Sequence, residues 1–329
     1  MITRGHKVLA LCGGVGGAKL ALGLYRVLAP NDLVLCVNTG DDFVHLGLHV
    51  SPDLDTVMYT LAGLSNPETG WGRWGETWTF MEALAALGGE TWFRLGDGDL
   101  ATHVQRTRRL GGGDSLTAVT DDFARRLGID AALLPMSDDP VRTLVETSEG
   151  TMPFQRYFVA RRCEPAVTRI IFEGAERARP NAQVMAALRS PDLALVVICP
   201  SNPYLSVDPI LALPALRQAL QECAAPALGI SPLIGGQAVK GPTAKIMAEL
   251  GVPLTQASIA SHYDGLIDGI MIDGADHAEA ASLPLTTRSS RILMTSLEDR
   301  ERLAREALEF GASLDRRAKP LRMETPRGP

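Results

Sequence analysis

No apolar run in this 329-residue chain approaches the roughly 18 residues of a membrane-spanning helix, which excludes a helical membrane protein. There is no basic excess either. Lys and Arg number 32 against 38 Asp and Glu, a net charge of −6, which argues against a general nucleic-acid binder. Cys-x-x-Cys is absent. The five cysteines (Cys12, Cys36, Cys163, Cys199, Cys223) are scattered and mostly set in apolar runs, so buried free thiols are expected rather than zinc or disulfides. The first residues lack the apolar core and cleavage pattern of a signal peptide, and a cytoplasmic location is expected. No Ser-His-Asp order, Cys-His pair or internal repeat is legible. What remains is 46% hydrophobic and 21% charged, the composition of an enzyme-like protein that can bury a large core.

The most informative stretch begins at Leu9. An apolar run breaks into Gly13-Gly-Val-Gly-Gly17 and resumes with helical periodicity through Leu20, Leu24 and Leu28, which reads as strand, glycine turn, helix. At such a turn the helix amino terminus offers N–H groups to an anion, and glycines let a phosphate approach the backbone. No Gly-Lys-Ser/Thr closes a Walker A loop. The dinucleotide fingerprint fits only as far as Gly14 and Gly16, because Lys19 holds the third glycine's place. A ligand-free tight turn is the alternative.

The rest of the chain alternates between apolar runs and amphipathic stretches. Asp32–Asn38 predicts a second parallel strand ending in Asn38-Thr-Gly-Asp-Asp42, and Ser51-Pro52 predicts a helix start. Helices are expected before and after residue 115, and Leu193–Cys199 is the clearest buried strand. Residues 141–180 alternate like antiparallel strands, at Val141–Thr147, Gln155–Arg161 and Val167–Glu173. Gly269–Asp273 and Ile292–Thr295 read as late strands, and 297–311 as a closing amphipathic helix. The expected architecture is α/β: a doubly wound, mainly parallel Rossmann-like sheet. Residues 1–140 and 181–312 form its nucleotide-binding core, 141–180 a smaller β-rich insertion, and 313–329 a frayed tail.

Four constellations carry chemistry. Asp41, Asp42, Asp53 and Asp55 lie within fifteen residues, on turns expected to converge beside the glycine loop. Hard oxygens of this kind suit Mg²⁺ that also touches phosphate, although helix capping is the plainer role for any one of them. Ser201 and Asn202, after the best strand, can donate to phosphate oxygens. Ser231, Gly235 and Lys240 lie in a glycine-bearing loop suited to an anion or a base edge. All four tryptophans fall within 22 residues. Trp71 and Arg73 could stack on a flat heterocycle, while Trp78 and Trp92 read as core. His45 and His49 have helical spacing for a metal, but the residues between them do not read as helix.

Taken together, Gly13-Gly-Val-Gly-Gly-Ala-Lys19, Asn38-Thr-Gly-Asp-Asp42, Ser51-Pro-Asp-Leu-Asp-Thr56, Gly70-Trp-Gly72, Leu95-Gly-Asp-Gly-Asp-Leu-Ala-Thr-His103, Pro200-Ser-Asn-Pro203 and Ser231-Pro-Leu-Ile-Gly-Gly236 resemble, in order, the CofD family. These are the 2-phospho-L-lactate transferases of coenzyme F420 biosynthesis, and the likeness spans roughly residues 7–312. The resemblance implies that the deazaflavin alcohol Fo attacks a guanylylated three-carbon acid through its ribityl hydroxyl and releases GMP. The acid is lactate, enolpyruvate or glycerate. It implies Mg²⁺ held by Asp41 and Asp55, with Asp53 as the alternative. The diphosphate would lie on the Gly13, Gly14, Gly16 and Gly17 amides with Ser201 and Asn202, and Lys19 or Lys240 beside the departing GMP. The deazaflavin would lie by Trp71 and Arg73, near Asp97, Thr102 and His103. Asp41, Asp42 and His103 are the candidate general bases. A homodimer is the expected assembly, with neither nucleic acid nor membrane as partner. Two rivals are a nucleotide-sugar-binding regulator of the gluconeogenesis-factor type, which shares the glycine loop, and an NAD-dependent dehydrogenase, weakened by the missing third glycine.

Overall fold

Seven short apolar segments pair side by side, all parallel. They are β1 (Lys7–Cys12), β2 (Leu33–Val37), β3 (Ala132–Pro135), β4 (Leu193–Ile198), β5 (Ala227–Ile230), β6 (Gly269–Asp273) and β7 (Thr286–Ser290), in the spatial order β7-β6-β5-β4-β1-β2-β3. The computed structural model describes residues 5–239 and 241–315. The expected strands of residues 8–11, 32–38, 193–199 and 269–273 are all present. The strand order reverses between β1 and β4, so their carboxyl ends diverge and open a crevice there.

The central strands are apolar at consecutive positions because both faces are covered. Val8, Ala10 and Cys12 face one core with α1 (Gly14–Val27), α2 (Pro52–Leu61) and the closing helix Leu297–Gly311. Leu9 and Leu11 face the other, together with Val196 and Ile198. Residues Val141, Val145, Phe154, Tyr157 and Val167 join that second core, so the segment after β3 packs directly on the sheet. Within it Arg142–Thr147 pairs antiparallel with both Gly150–Pro153 and Val167–Glu173.

Two expected strands are corrected. Gln155–Arg161 is not extended; Arg156–Ala160 forms a single π-helical turn, and the pairing strand lies earlier, at Gly150–Pro153. Tyr157 is buried while Phe158 is 40% exposed, an alternation that a wide helical turn produces as readily as a strand. Ile292–Thr295 is irregular, and the last strand is the polar Thr286–Ser290 at the sheet's edge. Ile292 and Met294 are apolar because they are buried against the first core. Among the cysteines, Cys12, Cys36, Cys199 and Cys223 are buried and Cys163 is half-buried, and none of the five is in a disulfide. No helix among the described residues is long and apolar enough to cross a membrane. Of the expected frayed tail, 313–329, residues 316–329 lie outside the described residues, as does Lys240, while Leu314 is buried in the first core and is not frayed.

Candidate active site

The crevice between β1 and β4 continues into a cleft of about 640 Å³, within the usual range for small-molecule sites. Its floor is the glycine turn. Gly13 precedes α1, Gly14 has φ +60°, and a Cβ on Gly16 would stand 2.1 Å from the Pro200 carbonyl oxygen. The glycines therefore let the turn after β1 touch the turn after β4. A Cβ on Gly13 would fall 2.4 Å from Asp53 Oδ2, so a carboxylate already sits against the helix amino terminus.

That carboxylate belongs to a buried acidic group. Asn38, at the end of β2, donates through Nδ2 to Asp53 Oδ2 (2.9 Å) and to Asp41 Oδ1 (3.3 Å), while its own Oδ1 is held by the Gly40 amide (2.7 Å). One amide thus draws the two acids together from turns twelve residues apart. Burial raises the proton affinity of Asp41 well above the ordinary carboxylate range, and the charges of Asp53 and Asp42 add to it. Burial likewise lifts Asp53 to about 6, against the opposing pull of Asn38 and the Gly14 N–H. Asp42 stands behind this pair. Its Oδ2 accepts from Ser51 Oγ (2.8 Å) and lies 3.0 Å from His49 Nε2, while Oδ1 has no hydrogen-bond partner among the described residues.

Asp55 is differently placed. The fully buried Arg106, on the helix Asp97–Gly111, grips both of its oxygens. His103 Nδ1 is 3.3 Å from the same guanidinium, and its Nε2 is 3.2 Å from Asp99 Oδ2. Because an arginine only donates, Nδ1 is the acceptor and the imidazole proton sits on Nε2, facing Asp99. The Tyr59 hydroxyl then bridges Asp99 Oδ1 (2.7 Å) and Thr102 Oγ1 (2.9 Å). Burial pushes the Asp99 carboxyl up, but the His103 and Tyr59 hydrogen bonds and nearby positive charge leave it lowered. Asp55, Asp99 and His103 present ligand atoms within 4.8 Å of one another, yet the Arg106 guanidinium already supplies the positive charge there.

Residues 8–309 match the family described as 2-phospho-L-lactate transferase CofD. The chain belongs to the CofD family. A phosphoenolpyruvate transferase from Streptomyces griseus is 42% identical over 313 residues, covering 92% of this chain and 98% of that protein. One from Mycobacterium tuberculosis is 38% identical over 314 residues, covering 88% and 94%. A UPF0052-family crystal structure from Bacillus halodurans shares the fold, with a TM-score of 0.61 at 16% identity, and covers 93% of this chain and 99% of that one. Membership makes this protein a transferase of coenzyme F420 biosynthesis.

In this CofD protein the cleft gathers most of the residues expected from the sequence. Gly13, Gly14, Gly16, Lys19, Asp41, Asp53 and Asp55 line it, as do Trp71, His103, Ser201, Asn202 and Ser231. Gly17, Asp42 and Thr102 lie behind this lining. Arg73 stands over the Tyr59 ring at 5.5 Å. Asp97 is occupied elsewhere: it accepts from Thr77 Oγ1 and from the Thr79 and Phe80 amides at the start of the helix Thr79–Ala86, and the Thr77 bond leads in lowering its pKa. The Gly235 amide is taken by Asp276. Trp78 and Trp92 are half-buried rather than core, each carrying a guanidinium on its face, Arg94 at 4.1 Å and Arg156 at 4.2 Å. The residues the sequence did not disclose are Arg106, Asn38 and the Phe154–Val159 wall. The Asn38-Thr-Gly turn held a signal for the second; the other two are distant in sequence from what they touch.

Proposed function

We propose that the chain transfers a phosphoenolpyruvyl group from its guanosine-diphosphate-linked donor to the ribityl hydroxyl of Fo. The hydroxyl oxygen forms the new bond to the phosphorus that carries the enolpyruvate, the diphosphate bridge breaks, and GMP leaves with the bridging oxygen. The names of relatives at about 40% identity support this acid over lactate or glycerate. The same level of identity to named transferases favours the transferase over the regulator. The observation that carries the reading is the Asp41–Asp53 pair at the mouth of the switch crevice.

The pair fits a divalent cation. Both carboxylates are buried, both converge on one amide, and neither is ion-paired with lysine or arginine among the described residues. Asp41 and Asp53 would hold the ion, and Asp55 would join only by parting from Arg106. Bound there, Mg²⁺ would neutralise diphosphate oxygens and the charge that develops on the departing phosphate. The chain's own donors do the positioning. Ser201 Oγ accepts the Gly13 N–H (3.3 Å) and Ser231 Oγ the Leu233 N–H (3.1 Å), so each hydroxyl keeps its hydrogen for a ligand oxygen. Asn202 Oδ1 is fixed by the Tyr204 and Leu205 amides, leaving Nδ2 buried with no protein partner among the described residues. Lys19, tied to the Met294 carbonyl (2.9 Å), brings positive charge to the same wall. Trp71, 57% exposed at the cleft's edge, offers a face to the deazaflavin.

Of the three candidate bases, Asp42 stands behind the lining and His103 lies in the Asp55–Arg106–Asp99 cluster away from the acidic pair; Asp41, on the pair itself, is the base proposed. Fo incubated with each guanylylated acid and Mg²⁺ tests the proposal by mass spectrometry. Dehydro-F420-0 and GMP are expected from the enolpyruvyl donor, and absence of product with all three donors overturns it. Asp41→Asn should lower turnover at least about a hundredfold, as loss of a preorganised charge does.

A further inference from the structure

Gln155 is the one side chain from the segment after β3 that reaches the acidic pair. It comes from 114 residues away, is 5% exposed, and donates through Nε2 to Asp41 Oδ2 at 3.2 Å. Its neighbours Phe154, Phe158 and Val159 line the same cleft. Asn38, the other amide on the pair, cannot reverse, because Gly40 N–H holds its oxygen while its nitrogen also donates to the Leu205 carbonyl. Gln155 carries no such lock. Its Oε1 takes no hydrogen bond from another described residue.

An amide N–H₂ facing a carboxylate pair is favourable only while no cation lies between them. A half-turn about the last side-chain bond exchanges nitrogen for oxygen at nearly the same point in space. Glutamine carbonyls are ordinary ligands of hard cations, and neighbouring ligand oxygens on an octahedral ion with bonds of about 2.1 Å stand about 3 Å apart. The 3.2 Å from Gln155 to Asp41 is already such a spacing.

We propose that Gln155 is a third protein ligand of the cation site, exchanging N–H donation to Asp41 for coordination through Oε1. This rests on the cation reading given above. Its consequence is that ion occupancy acts directly on the residue that opens the π-helical turn Arg156–Ala160, and so on one wall of the cleft.

Mn²⁺ titrated into the full chain without substrates, by calorimetry and by counting free ion with electron paramagnetic resonance, distinguishes a ligand from a donor. If Gln155 is a ligand, Gln155→Ala weakens Mn²⁺ about tenfold and Gln155→Glu tightens it. If Gln155 only donates to Asp41, its removal deletes a competitor, and Mn²⁺ binds as well or better; that result overturns the proposal. Gln155→Met, similar in volume and lacking both polar atoms, gives the same reading should the alanine variant fold poorly. Wild-type chain that binds no Mn²⁺ removable by Asp41→Asn overturns the cation reading as well. Normal binding at Asp41 that is indifferent to Gln155 sinks this proposal alone.

Discussion

Arg106 is the largest side chain fully buried among the described residues, and it is buried with its charge. A buried ion pair contributes little net stability, but removing one partner leaves the other uncompensated at a cost of about 3–5 kcal/mol. Arg106→Met should therefore lower the thermal midpoint sharply, and pairing it with Asp55→Leu should recover much of the loss; equal midpoints for the single and double variants would contradict that account. Gly16 fails for a different reason. Its missing Cβ is the space occupied by the Pro200 carbonyl, so Gly16→Ala must push the two turns apart. Overpacking of this kind costs about 1–3 kcal/mol, measurable by urea unfolding. Gly16, Asp41 and the helix start at Ser51-Pro52 were legible because short-range patterns announce them: a broken apolar run, an acidic turn, a proline-led helix start. That Asp53 rather than Asp55 meets Asn38 beside Asp41 was not, since both stand in the same first helical turn. Arg106 and Gln155 were not. Each acquires its role from a partner 51 or 114 residues away, and nothing in the local pattern records the meeting.

Helix ends show the same division. Glu76 receives the Gly98 and Asp99 amides while Asp97 receives those of Thr79 and Phe80, so two consecutive helices exchange caps. Read along the chain, Asp97 looked like part of a ligand motif; in space it is a capping residue. The closing helix is simpler. Ser296 and Asp299 form a reciprocal capping box, and the Thr295 hydroxyl and amide hold the Asp299 carboxyl down to about 2. A depressed acid contributes stability above its ordinary value near 4, and that contribution is lost as pH falls from about 4 through 2. Asp299→Ala should remove this part of the acid sensitivity, so its midpoint should fall less than the wild-type midpoint between pH 4 and 2.5. Strands in the middle of the sheet were legible because burial on both faces leaves unbroken apolar runs. The edge strand Thr286–Ser290 is half-solvated and polar, so the apolar stretch after it drew the assignment instead.

Across the whole molecule, the sheet separates two apolar layers, and the antiparallel strands after β3 are built into one of them. Val145 and Val167 share that layer with Leu9 and Ile198. A segment so joined should not melt by itself. Hydrogen exchange should place the Arg142–Thr147 and Val167–Glu173 amides in the same most-protected class as β1, and early exchange confined to those strands would show an independently opening unit. The doubly wound order was legible at this scale because alternating strands and helices admit few parallel arrangements. The layer chosen by residues 141–180 was not, since both faces of the sheet are equally apolar in sequence.

The carboxylate of Asp53 against the start of α1 has a thermodynamic corollary. An anion approaching the glycine turn meets a negative charge already there, and a cation approaching Asp53 meets no lysine or arginine paired with it among the described residues. Under the proposed reading the two ligands cannot be indifferent to one another. Each must improve the other's affinity by one common factor, because coupling between sites is reciprocal. GDP titrated with and without Mg²⁺, and Mg²⁺ with and without GDP, should return the same ratio, and in Asp53→Asn that ratio should shrink toward one.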